Sequence, residues 1–101
     1  MHVLVCTTTA GQGPTLLRAL LEDRLVACGN IVAGVRSVYR WKGAIEDEAE
    51  DLLIMETAAV DIEATIRAIR THHPYEVPKI IALEPSAVLP AYLAWAQEQT
   101  T

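Results

Sequence analysis

The chain has 101 residues, 51% of them hydrophobic and 21% charged, which leaves room for one compact domain and is too apolar for a disordered segment. Its 8 Lys and Arg stand against 13 Asp and Glu for a net charge of -5, the wrong sign for gripping a phosphate backbone or an anionic membrane surface. Mean hydropathy is +0.24, high for a domain of a size that buries only about 60–70% of its unfolded surface, so the apolar excess predicts burial against further copies of the chain.

No apolar run approaches the roughly 20 residues of a bilayer span. Met1-His2-Val3-Leu4-Val5-Cys6 lacks the basic start and small-residue cleavage site of an export signal, so the expected compartment is the cytoplasm. Two cysteines, Cys6 and Cys28, are too few for a disulfide scaffold and in a reducing cytosol are expected as thiols.

His2 to Thr9 is rich in β-branched residues without a breaker and reads as a strand ending at Ala10-Gly11-Gln12-Gly13. Gly13 as N-cap and Pro14 at the first helical position then open a helix to about Val26, with Leu17, Leu20, Leu21 and Leu25 on its apolar stripe. Beyond Cys28-Gly29-Asn30, the odd positions Ile31, Ala33, Val35, Ser37, Tyr39 and Trp41 give a long period-2 strand. A turn at Lys42-Gly43 joins it to a second strand, Ile45 to Thr57, whose first half sets Glu46, Glu48 and Glu50 on one face. Val60 to His73 returns to helical spacing with Ile62, Ile66 and Ile69, and Pro74 stops it. Lys79 to Leu83 is a short apolar strand, and Pro90 opens a last helix carrying Tyr92, Leu93 and Trp95.

The order strand, helix, strand, strand, helix, strand, with right-handed crossovers, predicts a single α+β domain over residues 1–101. Its form is ferredoxin-like βαββαβ, with helices on one face of an antiparallel sheet and a short C-terminal helix. Strands of a dozen residues reach about 40 Å, against a radius of gyration near 13 Å for a domain this size, so the central hairpin must project. Tyr39, Trp41 and Ile45 on that ribbon call for a covering partner. A bend at Gly34 that folds the ribbon back onto its own sheet is the alternative. The run Glu46-Asp47-Glu48-Glu50-Asp51 faces Arg36, Arg40 and Lys42, and cross-strand ion pairs account for it.

Four ordered strings resemble one family: Ala27-Cys28 with Asn30-Ile31; Ser37-Val38-Tyr39-Arg40-Trp41-Lys42-Gly43; His73-Pro74-Tyr75-Glu76-Val77-Pro78 leading into Ile80-Ile81-Ala82-Leu83; and Tyr92-Leu93-Ala94-Trp95. They are similar to the CutA divalent-ion tolerance proteins over nearly the whole chain. The resemblance implies a tight homotrimer knitted together by its long hairpins, a role in tolerance of divalent metals with copper foremost, and no obligatory cofactor. The chain departs from the family pattern at Glu56, where a Lys is usual, at Gly29, where a larger apolar residue is usual, and at Gly11-Gln12-Gly13-Pro14, which replaces an acidic loop.

Thiolate and imidazole together suit copper or zinc. By resemblance, Cys6 occupies the position from which some bacterial members recruit metal, and His73 opens the HPYEVP motif. Cys6 and His73, completed by Cys28, are therefore the expected metal donors, although no CxxC or helical His pair marks a metal motif. Packing explains Cys28 without a ligand role, and a helix C-terminal cap explains His73. Tyr39, Trp41 and Tyr75, with Glu76 and Lys79 beside them, are the expected lining of a cleft between subunits.

Two functions follow: a non-enzymatic trimeric metal-responsive protein, or a trimeric signalling adaptor of nitrogen-regulatory-protein-like architecture that holds a small anionic effector in its clefts. Acyl-phosphate hydrolysis is rejected because Gly11-Gln12-Gly13 contains no Arg to hold a phosphate. No nucleophile has a base and an orienting third group at hand either.

Overall fold

The computed structural model describes all 101 residues. In chain order the elements are β1 (His2–Thr9), α1 (Gly13–Glu22), β2 (Cys28–Trp41), β3 (Ala44–Thr57), α2 (Ile62–His72), β4 (Ile80–Leu83) and α3 (Pro90–Gln99). The strands form one sheet in the order β2-β3-β1-β4 with every neighbouring pair antiparallel, the ferredoxin-like arrangement with one added helix. No helix is long and apolar enough to cross a membrane.

Leu4 and Cys6 of β1 and Leu53 and Met55 of β3 point to the same face and meet Leu16, Leu17 and Leu20 of α1 and Ile69 of α2 in one buried cluster. Each large side chain fully buried there contributes about 1.5–3 kcal/mol. Gly29 belongs to this packing, because a Cβ on it would stand 2.5 Å from Leu17 Cδ1. The leucine fills the space that a larger residue would take.

Helix α1 stops four residues before Val26. Arg24 turns into the left-handed region at φ 56°, and the Leu25 amide donates to the Leu20 carbonyl at 3.0 Å, closing the helix with a wide turn. Leucine spacing runs on past that turn because Leu25 and Val26 still pack on the core. Helix α2 starts at Ile62 rather than Val60, since Asp61 Oδ1 accepts from the Ala64 amide at 3.0 Å as an N-cap.

Strands β2 and β3 are each 14 residues long and draw the molecule out to 44 × 25 × 22 Å. The turn is tight, with Lys42 at φ 49° and Gly43 at φ 82°, the left-handed pair that a two-residue hairpin demands. One cross-strand ion pair forms on the ribbon, Arg36 Nη2 to Asp47 Oδ2 at 2.6 Å.

The period-2 reading of β2 fails at one point. Val32 pairs with Leu52 but Val35 pairs with Glu50, so Ala33 and Gly34 together oppose Asp51. Gly34 lies at φ 68°, where glycine is unstrained. Ile31 and Trp41 therefore face opposite sides: Ile31 stands opposite Leu53 on the helix side, and Trp41 shares the open side with Tyr39 and Glu48. The bulge does not fold the ribbon back on its sheet, and the hairpin still projects.

Asp51 locks the bulge in place. It is buried; Oδ2 accepts from the amides of Gly11 at 3.0 Å and Gly13 at 2.9 Å, and Oδ1 accepts from Gly34 at 3.4 Å. A Cβ on Gly13 would come within 2.8 Å of Oδ2, so this close approach requires glycine.

The face of the sheet away from α1 and α2 is only partly covered. Tyr92 of α3 reaches it and donates to Glu56 Oε1 at 2.8 Å, which gives this carboxylate a structural partner. Val32, Ile54, Ile81 and Leu83 on the same face stay exposed.

Candidate functional site

The bulge, the acidic half of β3 and the segment after α2 meet at the foot of the hairpin. The shift at Gly34 turns Tyr39 and Trp41 to the open side; alternation in β3 brings Glu48 and Glu50 to that side, and β1 ends there with Thr7 and Thr9. Tyr75 to Lys79 forms the other wall. Together they enclose a cleft of 790 Å³, within the range of small-molecule sites. Tyr39, Trp41, Tyr75, Glu76 and Lys79 all line it.

His73 does not line the cleft but stands behind Tyr75. As the residue that ends α2 it is 7% exposed, and its Nε2 lies 2.8 Å from the Thr7 carbonyl oxygen while the Tyr75 amide donates to Nδ1 at 3.1 Å. A carbonyl only accepts and an amide N–H only donates, so the proton sits on Nε2 and the lone pair on Nδ1. β4 begins opposite Cys6, and the imidazole bonds the β1 carbonyl just beyond that end. The ring also packs edge-on against Tyr75 at 4.8 Å between centroids.

Tyr75, thus fixed, donates its hydroxyl to Glu50 Oε2 at 2.7 Å and accepts from Thr9 Oγ1 at 3.5 Å. Burial first, opposed by the Thr9 hydrogen bond and reinforced by Glu50, pushes the phenol up to about 12. Tyr39 donates to Glu48 Oε2 at 3.2 Å, and burial followed by the Glu48 charge raises its phenol as well. Both rings stay protonated donors at neutral pH. Glu50 is 6% exposed, an unusual setting for a carboxylate.

Cys6 and His73 converge on one atom, the Thr7 carbonyl oxygen, to which Cys6 Sγ donates at 3.6 Å. Cys6 is fully buried. Burial, then the Glu50 charge, raises its thiol to about 11 against an opposing pull from Lys79. Cys28 is not brought to them: it stands opposite Glu56 on the open face, whereas Cys6 stands opposite Leu53 on the helix face. Both cysteines are free thiols. Within one chain no three His, Cys, Asp or Glu side chains are grouped to hold a metal ion, so the expected set of Cys6, Cys28 and His73 is not assembled.

Two residues that matter here escaped the sequence reading. Glu50 and Asp51 both belong to the run assigned to cross-strand ion pairs, of which only Arg36 with Asp47 forms; Glu50 enters the cleft and Asp51 the loop before α1. That loop also bears on phosphate chemistry, because the amides of Gly11 and Gly13 that could cradle an anion are already held by Asp51.

Comparison with known proteins places these features in a lineage. The family model for the CutA1 divalent ion tolerance protein matches residues 1–99. A divalent-cation tolerance protein CutA of Thermus thermophilus is 37% identical over 98 residues, 97% of this chain and 95% of that one. Human protein CutA is 38% identical over 85 residues, 84% of this chain and 48% of its own, so the present chain spans about half the length of that relative. Among solved structures, the PII-like protein CutA from Nostoc sp. PCC 7120 in apo form superposes with a TM-score of 0.91 at 32% identity, over 100% of this chain and 98% of that one. The Thermus thermophilus divalent cation tolerance protein gives 0.90 at 36% identity over 100% of both chains. By sequence over nearly its full length and by fold, the chain belongs to the CutA1 divalent ion tolerance protein family.

Proposed function

We propose that the protein works as a non-catalytic homotrimer whose working site is the cleft at the foot of the hairpin, where a small effector binds and is reported to a partner. The observation that carries this reading is the cleft itself: 790 Å³, walled by tyrosines fixed to carboxylates and backed by a histidine that the backbone immobilises. Such a wall is preorganised for recognition. The exposed apolar side chains of the open sheet face and of the ribbon, Ile54, Ile81, Leu83, Val38 and Ile45, support assembly with further copies. Free thiols support a cytoplasmic setting.

A second reading, direct uptake of copper or another divalent metal, is supported by the convergence of Cys6 and His73 on the Thr7 carbonyl. Metal would have to displace a hydrogen bond from the imidazole and a proton from a buried thiol, so the expected affinity is modest.

A thermal-shift panel separates the two. Stabilisation by small organic molecules, abolished when Trp41→Ala removes a wall of the cleft, supports the first. Stabilisation by Cu(II) alone, lost in Cys6→Ala and His73→Ala, replaces it with the second. Turnover of an acyl phosphate by the purified protein would remove the non-catalytic assignment.

A further inference from the structure

The cleft contains a buried charge without a counter-ion. Glu50 is 6% exposed and accepts one hydrogen bond, from the Tyr75 hydroxyl to Oε2. Oε1 receives none, and no Lys, Arg or His lies within ion-pair distance of the carboxylate; the pairs that form are His2 with Glu84, Arg36 with Asp47 and His72 with Asp23. Oε1 meets solvent only from the cleft side, since it is not among the fully buried atoms that lack a partner, and a carboxylate so placed gains when a positive group enters to meet it.

The surrounding wall has the chemistry to receive one. Tyr39, Trp41 and Tyr75 line the same cavity, and aromatic faces attract ammonium and guanidinium groups. The other charges lining the cleft are Glu48, Glu76, Arg36 and Lys79. The Arg36 guanidinium is held by both oxygens of Asp47, and Lys79 is exposed, so its charge is screened by water. What a ligand entering toward Glu50 meets is a negative, aromatic enclosure, the opposite sign from the anionic effector expected from fold analogy.

We infer that the cleft takes a small organic cation, an ammonium or guanidinium group on a flat apolar body, with Glu50 as its counter-ion and the aromatic side chains around its body. This inference rests on the cleft being the working site, and the test keeps the two apart. Trp95 lies outside the cleft, so a Trp95→Phe protein leaves Trp41 as its single indole. The probes are benzylammonium, benzyl alcohol and benzoate, which share a ring and differ in charge. Benzylammonium should change Trp41 fluorescence saturably and bind at least about tenfold more tightly than the other two, the worth of one charge-assisted hydrogen bond.

Glu50→Gln keeps an acceptor for the Tyr75 hydroxyl while removing the charge. It should weaken benzylammonium by about tenfold or more and leave the mass of the assembly unchanged. Equal binding of benzylammonium and benzyl alcohol, or preference for benzoate, would overturn the cation assignment while leaving the cleft standing as a site. No saturable response to any of the three removes both. Where Glu50→Gln fails to fold, the discrimination among the three probes by the protein with Glu50 intact decides the matter.

Discussion

Asp51 joins three stretches of chain through one carboxylate: the loop before α1, the bulge of β2 and its own strand. Hydrogen bonds from buried amides to a charged acceptor contribute about 1.5–3 kcal/mol each, and an amide left without a partner costs about 1–3 kcal/mol. Asp51→Ala should therefore lower the unfolding free energy by about 3 kcal/mol or more in urea denaturation, with Asp51→Asn between the two; a loss under about 1 kcal/mol would show that water replaces the carboxylate. Cys6 sets a second expectation. Its thiol is raised from 9.0 to about 11 in the fold, so its contribution is complete below pH 9 and is lost as the pH climbs through 11, where the unfolded chain gains from ionising first. The full swing is about 3 kcal/mol. Denaturation midpoints between pH 8 and 11 should fall more steeply for the wild-type protein than for Cys6→Ala, whose starting stability is lower through lost packing. Parallel slopes would mean that the thiol does not govern the alkaline limb. In the sequence Asp51 and Glu50 are two of five neighbouring carboxylates, and only the placement of the Gly11 loop and of Tyr75 separates them from their solvated neighbours. The aromatic members of the cleft could be read because large rings beside polar residues stand out; the carboxylate at its centre could not.

Strand alternation made β1 and β3 legible to within a residue of their ends, because each presents one consistent parity to the core. β2 resisted the same reading for a physical reason: Val32, Ala33 and Val35 are small or apolar and suit either face, so the shift of phase at Gly34 leaves no break in the pattern. The end of α1 was hidden in the same way by Leu25, which packs on the core after the helix has stopped. Deletion of Gly34 should restore unbroken alternation and exchange the faces of the outer ribbon, taking Tyr39 and Trp41 out of the cleft. The expected result is loss of ligand-dependent Trp41 fluorescence in a Trp95→Phe background. Gly34→Ala keeps the count and pays only left-handed strain, about 1 kcal/mol; with no atom within 4 Å of the added Cβ, it should retain the cleft. Retained Trp41 response in the deletion would show that the bulge does not set which face the ring takes.

Taken whole, the molecule is 44 Å long with its apolar surplus on two surfaces, the open sheet face and the ribbon. A chain alone in water leaves both wet, and association is the ordinary remedy. Light scattering is expected to give a particle of three 11.0 kDa chains. Ile54→Asp or Ile81→Asp, each setting a charge on the open face, should shift the mass toward single chains at micromolar concentration; Val60→Asp, at a fully exposed position between β3 and α2, should leave it unchanged. A folded single chain in the wild-type protein would remove the assembly, although the cleft, lined by one chain alone, would remain.

The change of phase at Ala33 and Gly34 also gives the outer arm of the hairpin a count of its own. Lengthening or shortening both strands by two residues next to Lys42 and Gly43 moves the tip without inverting any side chain, whereas one residue gained or lost between Cys28 and Val32 turns every ring beyond it to the wrong side. Among natural chains built this way, variation in the arm should come in even steps at its tip, and its root should keep a fixed length.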